Sequence, residues 1–232
     1  MTHDEYLVLP CLDVEAVGVV RRAADPLDET DRKVHLRQGD AEGACGPYCV
    51  FMGLMMLGLA DREVITDFGG GTGTERQHKL LQALEKGHRA LFRRGTDLGQ
   101  LKDLIEENYK RGLTLELPEL AGKACRLFIE EEVLAGNPVI VGIEGEGPSH
   151  FVLAVGVRRR AIEGGASRVD RLLILDPNSP APRASAWNGM ISAVATVKGI
   201  YPYAWWSSQD DEPKNVPKNV ALFGALSLRR KG

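Results

Sequence analysis

A thiol, an imidazole and a carboxylate stand in this sequence in surroundings that suit nucleophilic catalysis. The thiol is Cys45, within Gln38-Gly39-Asp40-Ala41-Glu42-Gly43-Ala44-Cys45-Gly46-Pro47-Tyr48. Pro47 suits the first turn of a helix, where its missing N–H leaves no bond unmade, so Cys45 is expected at a helix start. The positive end of a helix dipole lowers a thiol pKa and favours the thiolate. Gly46 is expected to leave the sulfur approachable. Gln38, across a Gly-rich loop, is positioned to bring its amide N–H beside the backbone N–H of Cys45, and two such donors make an oxyanion hole. His150 opens an apolar strand after a Gly-rich turn and is the expected base. Asp176 ends the next strand, where an antiparallel meander brings it towards the imidazole to fix its tautomer and stabilise imidazolium. Asn178 is its substitute in that role.

Other polar residues compete for attention. His35 lies three residues before Gln38 and is a rival base. Cys49 is one helical turn beyond Cys45 and reads as core, with a redox bridge to Cys45 as the alternative; Cys11 and Cys125 read as apolar filler. His78 and His88 read as solvated, and no histidine pair has the HxxxH spacing, so no metal site is expected. Phe68 to Thr74, FGGGTGT, lacks the Lys-Ser/Thr ending of a phosphate loop and reads as a flexible loop near the cleft. Arg158-Arg159-Arg160 reads as a solvated turn. The aromatic patch IYPYAWW at 200–206 has two readings, a substrate groove or packing at the rear of a sheet, and the second is favoured.

These residues need elements to position them. Tyr6 to Arg22 reads as extended, interrupted by Pro10. Cys45 to Leu59, CGPYCVFMGLMMLGL, is apolar all round and predicts a buried helix. A helix over 75–94 places Leu80, Leu81, Leu84 and Leu91 on one face. Thr96 or Asp97 caps another through Tyr109, with Leu98, Leu101, Leu104 and Ile105 inward. A fourth runs from Ala121 to Ala135, stopped by Gly136-Asn137-Pro138. Strands follow over 138–143, 150–157, 171–175 and 220–228. Helices first and an antiparallel sheet after predict an α+β class, with a mostly helical N-terminal lobe packed on an antiparallel β-sheet lobe. The expected layout is a single domain: an extended segment over 1–37, a helical lobe over 38–136 and a sheet lobe over 137–232.

Composition bounds the function classes. The chain has 232 residues, 29 Lys+Arg against 32 Asp+Glu, and a net charge of −3. That balance argues against a nucleic-acid partner, which needs a basic surface. No apolar run is long enough to span a membrane. The N-terminus, MTHDEYLVLPCLDVE, lacks the basic region of a signal peptide. Four cysteines without paired CxxC spacing suit neither a disulfide scaffold nor a zinc site. A cytoplasmic chain with reduced thiols is the expectation, with signal-less export as an effector the alternative.

The stretches Gln…Cys-Gly-Pro-Tyr (38–48), Ser-His-Phe-Val-Leu-Ala-Val (149–155) and Leu-Ile-Leu-Asp-Pro (173–177), in this chain order, resemble the papain-like cysteine peptidases. The similarity is greatest to the bacteriocin-leader-processing type and its standalone relatives. The resemblance implies Cys45 as nucleophile, His150 as base, Asp176 as third member and Gln38 as oxyanion donor, on a helix-plus-sheet fold, with no cofactor. There are departures. Gln38 lies seven residues before Cys45, one more than usual in the family. Ala44 stands where leader-processing members usually have Asp, and the transporter portions of some members are absent. The length fits a complete two-lobed thiol enzyme without a pro-segment. The function expected is a thiol hydrolase cleaving a peptide or other amide bond through a Cys45 acyl-enzyme, with a peptide or protein substrate as partner. The alternatives are a catalytically inactive domain that binds a peptide, and an acyl transferase of transglutaminase-like or phytochelatin-synthase-like chemistry.

Overall fold

A computed structural model describes residues 4–22, 32–39, 43–67, 74–84, 95–162, 166–208 and 216–231. Ten strands and five helices are defined among them. In chain order they are β1 (Glu5–Val8), β2 (Leu12–Glu15), β3 (Gly18–Arg21), α1 (Cys45–Met56), α2 (Arg62–Thr66), α3 (Glu75–Gln82) and α4 (Leu98–Tyr109). Then come β4 (Leu113–Glu116), α5 (Gly122–Leu134), β5 (Val139–Glu144), β6 (His150–Ala161), β7 (Ser167–Leu175), β8 (Gly189–Ser192), β9 (Tyr203–Ser207) and β10 (Lys218–Arg230).

The main sheet closes on itself. Strands β6, β5, β10, β9, β8 and β7 pair in that order, all antiparallel, and β7 pairs back with β6, giving a six-stranded barrel. Two short strands extend its longer members. β1 pairs with β6 beyond the end of β5, matching Val8 to Gly156, and β4 pairs with β10, matching Leu115 to Leu228. β2 and β3 form a separate hairpin.

The strands look this way because both of their faces are covered. The first eight residues of β6 and the first five of β5 are buried without alternation, the pattern of strands packed on both sides. Helix α1 packs on β5 and β6, and α5 on β10, β6 and β5. Helix α1 is buried on nearly every side, as its uniform apolar sequence predicts. The expected cap of α4 is Asp97, whose Oδ1 accepts from Gln100 N at 2.8 Å while Gln100 Oε1 accepts from Asp97 N at 3.1 Å. Leu98, Leu101, Leu104 and Ile105 all point into the core.

The expected architecture, a mostly helical N-terminal lobe packed on an antiparallel sheet lobe, is not what forms. Among the described residues 35% are in strands and 27% in helices, and the sheet is a closed barrel. The N-terminal part contributes β1 and β4 to that same sheet, so no helical lobe stands apart from it. The physical reason is that EYLV, in a stretch expected to be extended, and LTLE, which alternates, are only four residues long, too short to show which sheet they join. Their strand character is conferred by partners far along the chain, Arg159 for Glu5 and Arg230 for Leu113. The second half of the expected 75–94 helix, the FGGGTGT loop up to Gly73, and His88 lie outside the described residues.

Candidate active site

Cys45 is the first residue of α1. Its N-cap, Ala44, makes no side-chain cap bond, and no acidic residue stands in the first turn. The positive end of the helix is therefore left to the thiol. Gly46 also has a packing reason. A Cβ there would come within 2.3 Å of Thr96 Oγ1 and 3.1 Å of a Leu101 methyl, so glycine lets the start of α1 sit against the start of α4.

His150 is the first residue of β6, paired with Ile143 of β5. Its Nε2 lies 2.8 Å from Asp176 Oδ1. Its imidazole also favours the Cys45 thiolate electrostatically, and with Nε2 committed to Asp176 the nitrogen left for the thiol is Nδ1. The next backbone N–H, that of Phe151, donates to Cys45 Sγ at 3.4 Å. The Trp205 ring leans on the imidazole, with centroids 5.6 Å apart and planes tilted by 34°.

Asp176 directly follows β7 and is fully buried. Its Oδ1 accepts from Asn178 N at 2.8 Å as well as from His150, and its Oδ2 accepts from Ser207 Oγ at 2.6 Å. Thus Asp176, not Asn178, holds the imidazole, and Asn178 contributes its backbone N–H to Asp176.

The electrostatics separate Cys45 from the other thiols. Burial pushes Cys49 well above the ordinary thiol value, Cys125 up to about 12, and Cys11 upwards. Burial acts on Cys45 too, but the hydrogen bond and charge of His150, with the N–H groups of Phe151 and Gly46, outweigh it and hold this thiol below its ordinary value. Burial alone would lower His150; its bonds to Asp176 and Cys45 win and raise it to about 9. Burial opposes the Asp176 carboxylate, yet His150, Ser207 and the Asn178 N–H hold it below the usual range. A thiolate beside an imidazolium is the species such shifts favour.

Cys45 and His150 open into a cleft of about 810 Å³, lined by Gln38 and Gly43, by residues 143–149, and by Trp205 with 217–220. Gln38 shares this cleft with Cys45, and its Oε1 is buried with no hydrogen-bond partner among the described residues. Its backbone N donates to Pro177 O at 2.9 Å, which ties the expected oxyanion segment to the Asp176 turn. His35 is not a rival base. Both hydrogens of Asn188 Nδ2 go to the carbonyls of Asp176 (2.9 Å) and Pro180 (3.0 Å), so His35 Nε2, 3.1 Å from Asp176 O, is the donor there. Burial pushes His35 down, and its neutral ring braces the same turn.

Sequence reasoning missed three contributors, the Phe151 N–H, Ser207 and Asn188, and for Trp205 favoured rear packing over the groove that it lines. A backbone N–H leaves no trace in residue type. Trp205 lies in the patch that was expected at the rear of the sheet; it faces the site because β9 is drawn into the barrel between β8 and β10. Ser207 and Asn188 carried no signal. Among the described residues no group of three or more His, Cys, Asp or Glu side chains is arranged to hold a metal ion, and no helix is long and apolar enough to cross a membrane. Compared with known family models and with curated proteins, the chain matches none.

Proposed function

We propose that the protein is a thiol hydrolase that cleaves a peptide or other amide bond through an acyl-enzyme on Cys45. The observation that carries the reading is that Cys45 and His150 line one cleft, with His150 Nε2 bonded to the buried Asp176 carboxylate at 2.8 Å and the Phe151 N–H on the Cys45 sulfur at 3.4 Å. The order Gln38, Cys45, His150, Asp176, in motifs resembling those of the papain-like peptidases, supports the same chemistry.

The Cys45 thiolate attacks the substrate carbonyl carbon, forming the C–S bond and moving the carbonyl π pair onto oxygen. The developing oxyanion lies towards the Cys45 backbone N–H and Gln38, which stabilise it. As the oxyanion collapses, the C–N bond breaks and the His150 imidazolium gives its proton to the departing nitrogen. Neutral His150 then takes a proton from water, which attacks the thioester, and the acid leaves as Cys45 thiolate and imidazolium are restored. Asp176 stays ionised throughout and keeps Nε2 protonated, so that Nδ1 is the nitrogen that cycles.

The test is the rate of iodoacetamide alkylation of the native protein across about pH 5 to 9, compared with free cysteine, whose pKa is about 8.5. Intact mass with Cys45→Ala as control locates the reaction. Alkylation of Cys45 that persists well below the pH where free cysteine stops reacting, together with a transient acetyl-Cys45 from p-nitrophenyl acetate, is expected. Alkylation no faster than free cysteine, following a pKa near 8.5, overturns the reading and leaves a peptide-binding domain.

A further inference from the structure

We propose that Ser207 and Asn188 are positioning residues of this site: Ser207 holds the carboxylate of Asp176, and Asn188 holds the peptide unit that carries it. The inference rests on the reading of Cys45, His150 and Asp176 as a working thiol triad.

A fully buried carboxylate needs donors on both oxygens, because no water reaches it to supply them. Oδ1 is served by His150 Nε2 and Asn178 N, each at 2.8 Å. Oδ2 is served by the Ser207 hydroxyl at 2.6 Å; Ser179 Oγ stands 3.4 Å away. Ser207 has one hydroxyl hydrogen, and the short bond to Oδ2 uses it. Its close contact with Ser179 Oγ is then one in which Ser179 donates, giving a chain from Ser179 to Ser207 to Asp176. Ser207 ends β9 and pairs with Gly189 of β8, so the hydroxyl is fixed by barrel strands rather than by a loop.

Asn188 is buried and brackets Asp176 on both sides of its Cα. Its Oδ1 accepts from Asp176 N at 2.7 Å, and its Nδ2 donates to Asp176 O at 2.9 Å. Its own backbone is pinned by Asn188 N to Ile174 O at 3.1 Å and by Ser208 N to Asn188 O at 2.9 Å. Every polar atom of this side chain is spent on the Asp176–Pro180 turn. Ser207 and Asn188 also line a second cleft, of about 540 Å³, together with Trp187, Trp206 and Arg183. They therefore stand between the buried carboxylate and that opening. The titratable groups facing Asp176 are His150 from β6, Cys49 from α1 and His35 from the segment before Gln38.

Removing the Ser207 hydroxyl leaves Oδ2 buried with one distant donor. Loss of a donor to the charged form raises a carboxylate pKa. Once Asp176 takes a proton it no longer holds imidazolium, and the thiolate is lost with it at a higher pH than in the native protein.

Iodoacetamide alkylation of Cys45 in the full chain, read against pH alongside the melting temperature, tests this without a known substrate. For Ser207→Ala the acid limb moves up by about half to one pH unit, a rate about 3–10-fold lower near pH 5, with the rate near pH 8 within about 2-fold of native. Ser207→Thr restores the native limb. Asn188→Ala shifts the limb in the same direction and also lowers the melting temperature. A Ser207→Ala protein with the native acid limb overturns the proposal. So does a variant that melts earlier while its alkylation profile is unchanged, since that marks a purely structural hydroxyl. A native protein whose Cys45 is no more reactive than free cysteine instead fails the triad reading itself.

Discussion

At the scale of single residues, the proposed chemistry rests on two opposed shifts, of His150 and of Cys45, each of which favours the other. His150 is raised to about 9 and Cys45 is lowered, and both directions favour the thiolate–imidazolium pair. The expected pH dependence of hydrolysis is a bell, lost on the acid side as Cys45 protonates and on the alkaline side as His150 deprotonates near 9. The sign for stability follows from the same shift. His150 binds its proton more tightly folded than unfolded, so its contribution is fully present below its ordinary value of 6.5 and disappears as pH rises through about 9. Asp176 is the reverse: its contribution is present above the ordinary carboxylate value of 3.8 and is lost as pH falls through the depressed folded value. Asp176→Ala is expected to cut kcat by about 10²–10⁴-fold, because nothing then accepts from Nε2 and holds the imidazole. Steady-state kinetics on a cleaved peptide or on p-nitrophenyl acetate checks this; a kcat within about 3-fold of native would remove Asp176 from the mechanism.

At the scale of elements, α1 does two jobs that constrain each other. It is a core helix, buried nearly all round, and its first residue is Cys45, the proposed nucleophile. Its position is set where Gly46 meets Thr96 and Leu101 at the start of α4. Gly46→Ala is expected to cost about 1–3 kcal/mol, the usual range for overpacking, and to slow Cys45 alkylation at neutral pH by moving the sulfur away from His150. Asp97→Ala is the contrasting variant. It removes the capping box of α4 and costs about 1 kcal/mol, with the alkylation rate unchanged, because the cap bonds only within α4. Chemical denaturation measures the first quantity and alkylation the second. Equal effects of the two variants on alkylation would refute the assignment of Gly46 to the placement of α1.

At the scale of the whole molecule, the closed barrel joins parts of the chain that look separable in the sequence. His150 starts β6, Asp176 follows β7, Ser207 ends β9, and Cys45 reaches them on a helix laid against β5 and β6. Strands from residues 5–8, 113–116 and 218–230 belong to the same sheet, and the buried side chains of the described helices share one core with it. Unfolding in urea is therefore expected to be a single transition, with far-UV circular dichroism and tryptophan fluorescence superimposing. Two separated transitions would restore the picture of two lobes. Much of the site was legible before any of this geometry. Cys45, His150 and Asp176 stand out because a thiol at a predicted helix start and polar residues at the ends of apolar strands are local patterns, carried by a few neighbouring residues. The buried helix α1 and the cap of α4 are local in the same sense. The barrel, the β1 and β4 pairings, the turning of Trp205 onto His150 and the support of Asp176 by Ser207, Asn188 and His35 are not. They join residues 31, 12 and 141 positions apart in the case of Asp176, and nothing near any one of them specifies the others. The sequence by itself determined which side chains are chemically able to act and which helices carry them. Only the closing of the sheet decided which of them meet, because strand pairing and the filling of a buried carboxylate are satisfied by distant partners rather than by neighbours.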